Sequence, residues 1–259
     1  MAKRLNYLKM ADIKIKWLDR TDSTNTQVAA LKESLDDMST VAADCQTAGR
    51  GQRGNQWESR PGENLTFSIL FKPNDIQTHE QFCISQVAAL GIVDYLAAEG
   101  IQAKVKWPND NYVGDKKICG ILIENSSHGD KLSASIVGIG FNLNQTKFES
   151  DAPNPTSLAL LTGRRYDTRE ELPKLLSCIF SLYLQVNEGE KRFYLRTSLD
   201  GRYLESMYRR GEWHGFEETP QGRTVRARIL GIDNSACLLL EHADGSIRSY
   251  AFKEIRYIL

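Results

Sequence analysis

The stretch Gln46-Thr47-Ala48-Gly49-Arg50-Gly51-Gln52-Arg53-Gly54-Asn55-Gln56-Trp57, with Leu65-Thr66-Phe67-Ser68-Ile69-Leu70-Phe71 after it, decides how this chain is read. Leu65, Phe67, Ile69 and Phe71 fall on one face of a strand, and residues 40 to 46 form another, so the glycine-rich segment is a loop held between two strands. Its glycines let the backbone approach an anion closely, and its arginines supply forked donors for phosphate or carboxylate. That combination suits a triphosphate. It lacks the terminal Gly-Lys-Ser/Thr of a Walker loop, and it is no Rossmann fingerprint. Two plainer readings stand beside it: a surface turn with solvated arginines, and a nucleic-acid-binding arginine-glycine segment. The second is disfavoured because such segments are repetitive and disordered, whereas this one is single and flanked by strands.

Working outward, Ile13, Ile15 and Trp17 alternate with lysines as in a strand. A helix is predicted to begin inside Asp22-Ser23-Thr24-Asn25, where Thr24 and Gln27 have capping-box spacing and Val28, Leu31 and Leu35 recur at helical intervals. Polar side chains thereby gather at a helix N-terminus. Phe82, Val87, Leu90, Val93 and Leu96 predict a helix over 80–98 that packs on the sheet. Ala103, Val105 and Trp107 open the next strand. The pieces 118–124 and 132–143 form an antiparallel hairpin across a polar turn at 126–130, and Pro153 and Pro155 mark an irregular connection. Helices are expected at 169–187 and about 191–209. Beyond Arg210 only short alternating runs remain, with Asp244-Gly245 as a hairpin turn, which predicts a small barrel-like second unit. The expected organisation is a domain over 1–210 and a smaller one over 211–259.

At 259 residues, with 41% hydrophobic and 25% charged residues, the chain can bury a real core and is not disordered. Basic and acidic residues number 33 each, so no global field draws it to nucleic acid or an anionic membrane and any anion site is local. The five cysteines are scattered without metal-ligand spacing, no secretory leader is evident, and no run approaches the roughly 20 apolar residues that span a bilayer. The expectation is a cytoplasmic protein with reduced thiols, no membrane association and no protein-built metal site. The four histidines suggest no triad.

Two further segments carry chemistry. In Lys104-Val105-Lys106-Trp107-Pro108-Asn109-Asp110, Pro108 ends the strand and sets Asn109 and Asp110 in a turn, and the returning segment brings Lys117 to the start of an apolar strand. A carboxylate and an ammonium are thus placed near one another; an ordinary surface ion pair is the plainer reading. In Gly138-Ile139-Gly140-Phe141-Asn142-Leu143-Asn144, glycines within a strand mark a bulge or the close approach of another group.

Taken in order, Asp22-Ser23-Thr24-Asn25, Gly49 to Trp57, Lys106 to Asp110, Lys117-Ile118-Cys119-Gly120-Ile121-Leu122 and Gly138 to Asn142 resemble the motif series of biotin protein ligases. The resemblance covers about residues 17 to 165, and the tail from Gly231 to Ile255 is similar to the family's SH3-like C-terminal domain. It implies an α+β fold of the class II synthetase-like, biotin-lipoate ligase type: a mixed, largely antiparallel sheet with helices on one face, plus a small SH3-like barrel. It further implies an ATP-dependent ligase that makes biotinyl-5′-AMP and transfers biotin to a lysine of a biotin carboxyl carrier protein, such as the biotinyl domain of acetyl-CoA carboxylase, with Mg²⁺ assisting.

By the same resemblance Ser23, Thr24, Asn25 and Gln46 line the biotin site, with Arg50, Gly51, Gln52, Lys117 and Gly120 also on biotin. Gly49, Arg50, Gly51, Gln52, Arg53, Trp57, Lys117 and Asn142 contact ATP or the adenylate. Lys117, Arg50 and Asp110 carry the chemistry, Asp110 orienting the acceptor lysine or a metal. The loop position occupied by Gln52 is often arginine in the family. About 21 residues precede Asp22, too few for the winged helix-turn-helix of bifunctional members, so no repressor activity and no DNA binding are expected. The chain is expected to be a monomer or homodimer. A lipoate or octanoate ligase or transferase of the same fold is the rival reading, with a non-catalytic nucleotide- or RNA-binding module behind it; a lipoyl site needs an apolar channel, whereas the four polar residues suit a ureido head.

Overall fold

The structure is a computed structural model that describes residues 13–52, 55–149, 154–187, 192–219 and 221–259. In chain order its elements are β1 (Ile15–Thr21), α1 (Thr24–Leu31), β2 (Ser39–Gln46), β3 (Leu65–Phe71), α2 (Phe82–Ala98), β4 (Lys104–Lys106), β5 (Asp110–Val113), β6 (Lys116–His128), β7 (Lys131–Phe141), α3 (Leu158–Thr162), α4 (Thr168–Asn187), α5 (Arg192–Ser206), β8 (Trp213–Glu218), β9 (Arg223–Ile232), β10 (Leu238–His242), β11 (Ile247–Tyr250) and β12 (Ile255–Tyr257).

The first seven strands form one sheet in the order β1-β2-β3-β7-β6-β5-β4. Only β1 and β2 run parallel; the other neighbours are antiparallel. Leu65, Phe67, Ile69 and Phe71 join the large core with α2 and α4, where Phe71 stacks on Tyr183 at 4.0 Å between centroids. Leu70 points the other way, into a smaller cluster with Val28 of α1. The three long helices therefore share one face, as the sequence predicts, and α1 covers part of the other. This is why every residue of β3 is buried.

Residues 78–98 are long and apolar enough to cross a membrane by length and composition. The expectation of no such segment counted only unbroken apolar runs. Most of α2 is buried, because the sheet lies on one side and α4 and α5 on the other.

Several local expectations are corrected. The helix at 24 starts after Ser23 without a side-chain cap, because Thr24 spends its hydroxyl inside the protein, and it ends at Leu31 rather than reaching Leu35. The 126–130 turn is a two-residue turn at Gly129-Asp130, since β6 and β7 stay paired through a register shift at Ser126/Ser127. The connection after Pro155 contains α3, opened by Ser157 accepting from the Leu160 amide and closed by Gly163 at φ 71°. Pro153 and residue 191, the expected start of the last helix, lie outside the described residues.

The remaining strands make a second, antiparallel sheet in the order β11-β10-β9-β8-β12. The Asp244-Gly245 turn joins β10 to β11, with Gly245 at φ 81°. This sheet leans on the first: Trp107 packs edge-on against Phe252 at 6.2 Å, and its indole N–H donates to the Ala236 carbonyl at 3.0 Å. That seam forms one wall of the cleft.

Candidate active site

A cleft of about 400 Å³ opens between the edge of α1, the glycine-rich loop, the β4–β7 strands and the second sheet. At one end sits a closed polar network. The Gln46 Oε1 accepts from the Thr24 amide at 2.8 Å, Thr24 Oγ1 and Ser68 Oγ are 2.7 Å apart, and Ser68 donates to Asn25 Oδ1 at 2.6 Å. Asn25 Nδ2 then donates to Glu124 Oε2 at 2.7 Å, which fixes which way the Asn25 amide faces. Ser23, Thr24 and Asn25 are at most 4% exposed, so these dipoles are held in low dielectric.

Glu124 also anchors the loop. Arg50 makes a two-pronged pair to it, Nη1 to Oε1 at 3.1 Å and Nη2 to Oε2 at 3.0 Å. The loop is a tight hairpin, with Arg50 bridged to Gln56, the Gly51 amide donating to the Asn55 carbonyl at 2.7 Å and the Trp57 amide to the Gly49 carbonyl at 3.0 Å.

In the middle of the cleft the Lys117 ammonium lies 2.7 Å from Asp110 Oδ1, the two side chains 24% and 18% exposed. The backbone of Lys117 is pinned from both sides, its amide donating to the Asn154 carbonyl and its carbonyl accepting from the Thr156 amide. The floor beside it is built from Gly120 and Gly140, register partners on β6 and β7. A Cβ at Gly140 would meet Trp57 Cε2 at 2.2 Å, and one at Gly138 would meet Asn25 Oδ1 at 2.1 Å. The strand glycines thus admit the close approach that the sequence suggests, of Trp57 and Asn25. Lys117 lies 5.5 Å from the Trp57 ring centroid. Cys119, on the buried side of β6, has its thiol pushed well up by burial, so it is no nucleophile at neutral pH.

Of the residues singled out in the sequence, Ser23, Thr24, Asn25, Gln46, Arg50, Gly51, Gln52, Trp57, Asp110, Lys117 and Gly120 line this one cleft. Gly49 lines an adjoining hollow with Glu124. Asn142 does not line the cleft: it is buried, with Nδ2 donating to the Thr156 carbonyl at 2.9 Å and Oδ1 left without a partner. Arg53 lies outside the described residues. Sequence reasoning missed Glu124, Lys106, Phe252 and Arg256. Glu124 ends the apolar run that follows the lysine motif, the one signal available for it; Lys106 stands in a motif that the sequence singles out without giving it a role, and Phe252 and Arg256 reach the cleft through contact between the two sheets, which no local pattern reveals.

Among the described residues no group of three or more His, Cys, Asp or Glu side chains could hold a metal ion. Asp110 is taken up by Lys117, so the donor set does not fit a resident Mg²⁺.

The fold and this cleft describe an α+β ligand-binding enzyme core joined to a small antiparallel sheet of five strands. The profile of the Biotin/lipoate A/B protein ligase family matches residues 17–142. A biotin–[acetyl-CoA-carboxylase] ligase of Paracoccus denitrificans is 37% identical over 61% of this chain and 68% of its own length. The chain belongs to the Biotin/lipoate A/B protein ligase family. A bifunctional ligase/repressor of Bacillus spizizenii is 32% identical over 82% of this chain, and the chain spans 64% of that relative's length. Among solved structures, the Aquifex aeolicus biotin protein ligase in complex with biotin and ATP superposes with a TM-score of 0.74 at 28% identity, covering 95% of this chain and 99% of that one.

Proposed function

We propose that this chain activates biotin with ATP, forming biotinyl-5′-AMP and pyrophosphate, and then passes the biotinyl group to a lysine of a biotin carboxyl carrier protein. One observation carries the reading: a single cleft joins a saturated polar end, built by Thr24, Asn25, Gln46 and Ser68, to the Lys117–Asp110 pair and the Arg50 loop. A ureido ring offers both donors and acceptors, which the hydroxyls and amides of such an end can match by exchanging partners, whereas the apolar chain of lipoate or octanoate would lie against polar groups with which it forms no hydrogen bond. The Paracoccus relative carries the corresponding name, and the Aquifex structure holds biotin and ATP.

In the first step a biotin carboxylate oxygen attacks the α-phosphorus, and the bond to the pyrophosphate oxygen breaks with its electron pair leaving on pyrophosphate. In the second an acceptor amine attacks the acyl carbon, the acyl–oxygen bond breaks to release AMP, and the amine loses a proton. Both steps build negative charge at one phosphate, so Lys117 and Arg50 serve as fixed cations there. Asp110 holds the Lys117 ammonium in place and, as the one carboxylate in the described lining of the cleft, is the group available to orient an acceptor amine. Ser23, Thr24, Asn25 and Gln46 take the biotin head, with Gly51, Gln52, Lys117 and Gly120 beside its chain. Gly49, Arg53, Trp57 and Asn142 belong to the adenylate side; the Oδ1 of Asn142 is a buried acceptor without a partner. Magnesium enters as part of the nucleotide substrate.

The reading divides the chain into a catalytic unit over 1–210 and an SH3-like unit over 211–259, and it places the protein in the cytoplasm. It includes no DNA binding, in keeping with the balanced charge of 33 basic and 33 acidic residues. Exchange of labelled pyrophosphate into ATP tests it. Exchange should require biotin; exchange that octanoate or lipoate supports and biotin does not would transfer the assignment to the lipoyl branch.

A further inference from the structure

The return arm of the glycine-rich loop, residues 58–64, runs from Trp57 into β3 and is fastened to the segment beyond β7 by one buried amide, that of Gln145. Gln145 Oε1 accepts from the Arg60 amide at 3.1 Å and from Asn64 Nδ2 at 2.6 Å. Its Nε2 donates to Glu58 Oε1 at 2.8 Å and to the Lys147 carbonyl at 2.9 Å. Both amide hydrogens and both acceptor positions are thereby used, which fixes how the side chain faces. Glu58 also accepts from the Glu149 amide at 3.0 and 3.1 Å, and Asn64 Oδ1 accepts from the Leu143 amide at 3.1 Å.

What this arm carries is Trp57. Its ring lies over the strand glycines, where a Cβ at Gly120 would meet it at 2.9 Å and one at Gly140 at 2.2 Å, with Lys117 beside it. Yet the indole N–H is buried without a hydrogen-bond partner among the described residues. No hydrogen bond of its own therefore sets where the ring lies on this floor, and glycines offer no side chains to pack around it. Its place is set by the backbone, tied on one side by the Trp57 amide to the Gly49 carbonyl and on the other by Glu58 and Arg60 through Gln145. The polar end of the cleft is held separately, since Thr24, Asn25, Gln46 and Ser68 are bonded among themselves and to Glu124.

We propose that Gln145 is a positioning residue for the adenylation step: acting through Glu58 and Arg60, it holds Trp57 on the glycine floor beside Lys117. The inference rests on the adenylate-forming reading above. Gln145 touches no reacting atom; it determines whether the indole is in place when the adenylate forms. Loosening it speeds the escape of biotinyl-5′-AMP and leaves the hold on the biotin head unchanged.

The plainer role for Gln145 is to satisfy buried polar groups of the fold, and the test separates the two. The full chain is loaded with biotin and ATP and freed of excess by gel filtration, and released biotinyl-5′-AMP is followed by chromatography. Biotin affinity is measured by calorimetry. In Gln145→Met, which keeps the length of the side chain, release should quicken about three- to tenfold, the worth of one or two neutral hydrogen bonds, with biotin affinity within about twofold. Glu58→Ala, at a less buried position, should behave alike and carries the test if the methionine variant does not fold. Glu58→Gln, which keeps an acceptor for Gln145, should restore most of the retention. Because the effect runs through the indole, Gln145→Met should add less than about twofold in a Trp57→Leu background. A purely structural role predicts instead that biotin affinity falls by the same factor as retention, or that release quickens equally with and without Trp57. Either result, or release at the wild-type rate in both Gln145→Met and Glu58→Ala, overturns the proposal. A wild-type chain that forms no biotinyl-5′-AMP refutes the adenylation reading instead, and that is seen before any variant is made.

Discussion

The Lys117 ammonium and the Asp110 carboxylate meet at 2.7 Å across two neighbouring antiparallel strands, in the lining of the cleft that also holds the polar end and the glycine-rich loop. Because both are less than a quarter exposed, neither charge is removed without leaving the other poorly compensated. Lys117→Ala should lower biotinyl-5′-AMP formation by about 10²–10³, and the uncompensated Asp110 carboxylate should lower the unfolding midpoint as well. Single-turnover chromatography of the adenylate reads this, and a wild-type rate in the variant would remove Lys117 from the mechanism.

Glu124 ties the polar end to the loop, and its two duties can be separated. Glu124→Gln still offers Asn25 an oxygen but gives up the charged fork to Arg50, so biotin affinity should hold within about threefold. Glu124→Ala leaves the buried Asn25 amide without its acceptor, at about 1–2 kcal/mol, or roughly a five- to thirtyfold weaker biotin complex. Calorimetric titration of both variants checks the split; equal losses would show that the Asn25 contact does not matter.

The strand glycines predict two distinct failures. Gly140→Ala drives a methyl into the Trp57 ring, so adenylate formation should fall with little change in biotin affinity. Gly138→Ala drives one into Asn25 Oδ1, so biotin affinity should fall first. Measuring both quantities on both variants tests the assignment, and identical profiles would argue against separate subsites.

Gln52 lines the cleft with Arg50, at a position where arginine would offer phosphate a charged fork and glutamine offers a neutral amide. A charge-assisted bond contributes about 1.5–3 kcal/mol against about 0.5–1.5 for a neutral one, so Gln52→Arg should slow adenylate release by about one to two powers of ten. Arg50→Ala should leak adenylate far more than Gln52→Ala. Faster release from Gln52→Arg than from wild type would mean that Gln52 shapes the loop and does not compete for charge.

Much of this was legible in the residues themselves. The long strands of the main sheet announce themselves by alternation, and the Lys117–Asp110 approach follows from a proline-ended strand and its return. β5 does not, because its Asp110-Asn111 start looks like loop; Asn111 is buried nonetheless, its side chain donating to the Ala89 carbonyl at 3.0 Å on α2. Glu124 was invisible as a site residue for a similar reason. Its partners Arg50 and Asn25 are 74 and 99 positions away, and only the sheet order brings them together. The surroundings of Lys106 need both sheets in place, since its ammonium lies 4.9 Å from the ring centroid of Tyr257 in the last strand of the chain.

The most direct test of the central claim is to isolate the first half-reaction: the chain is mixed with biotin, ATP, Mg²⁺ and pyrophosphatase but no acceptor, and the bound nucleotide is identified by mass spectrometry. The account predicts close to one equivalent of biotinyl-5′-AMP per chain, and none when biotin is replaced by octanoate. Unreacted ATP beside biotin, or an octanoyl adenylate formed as readily, would contradict it.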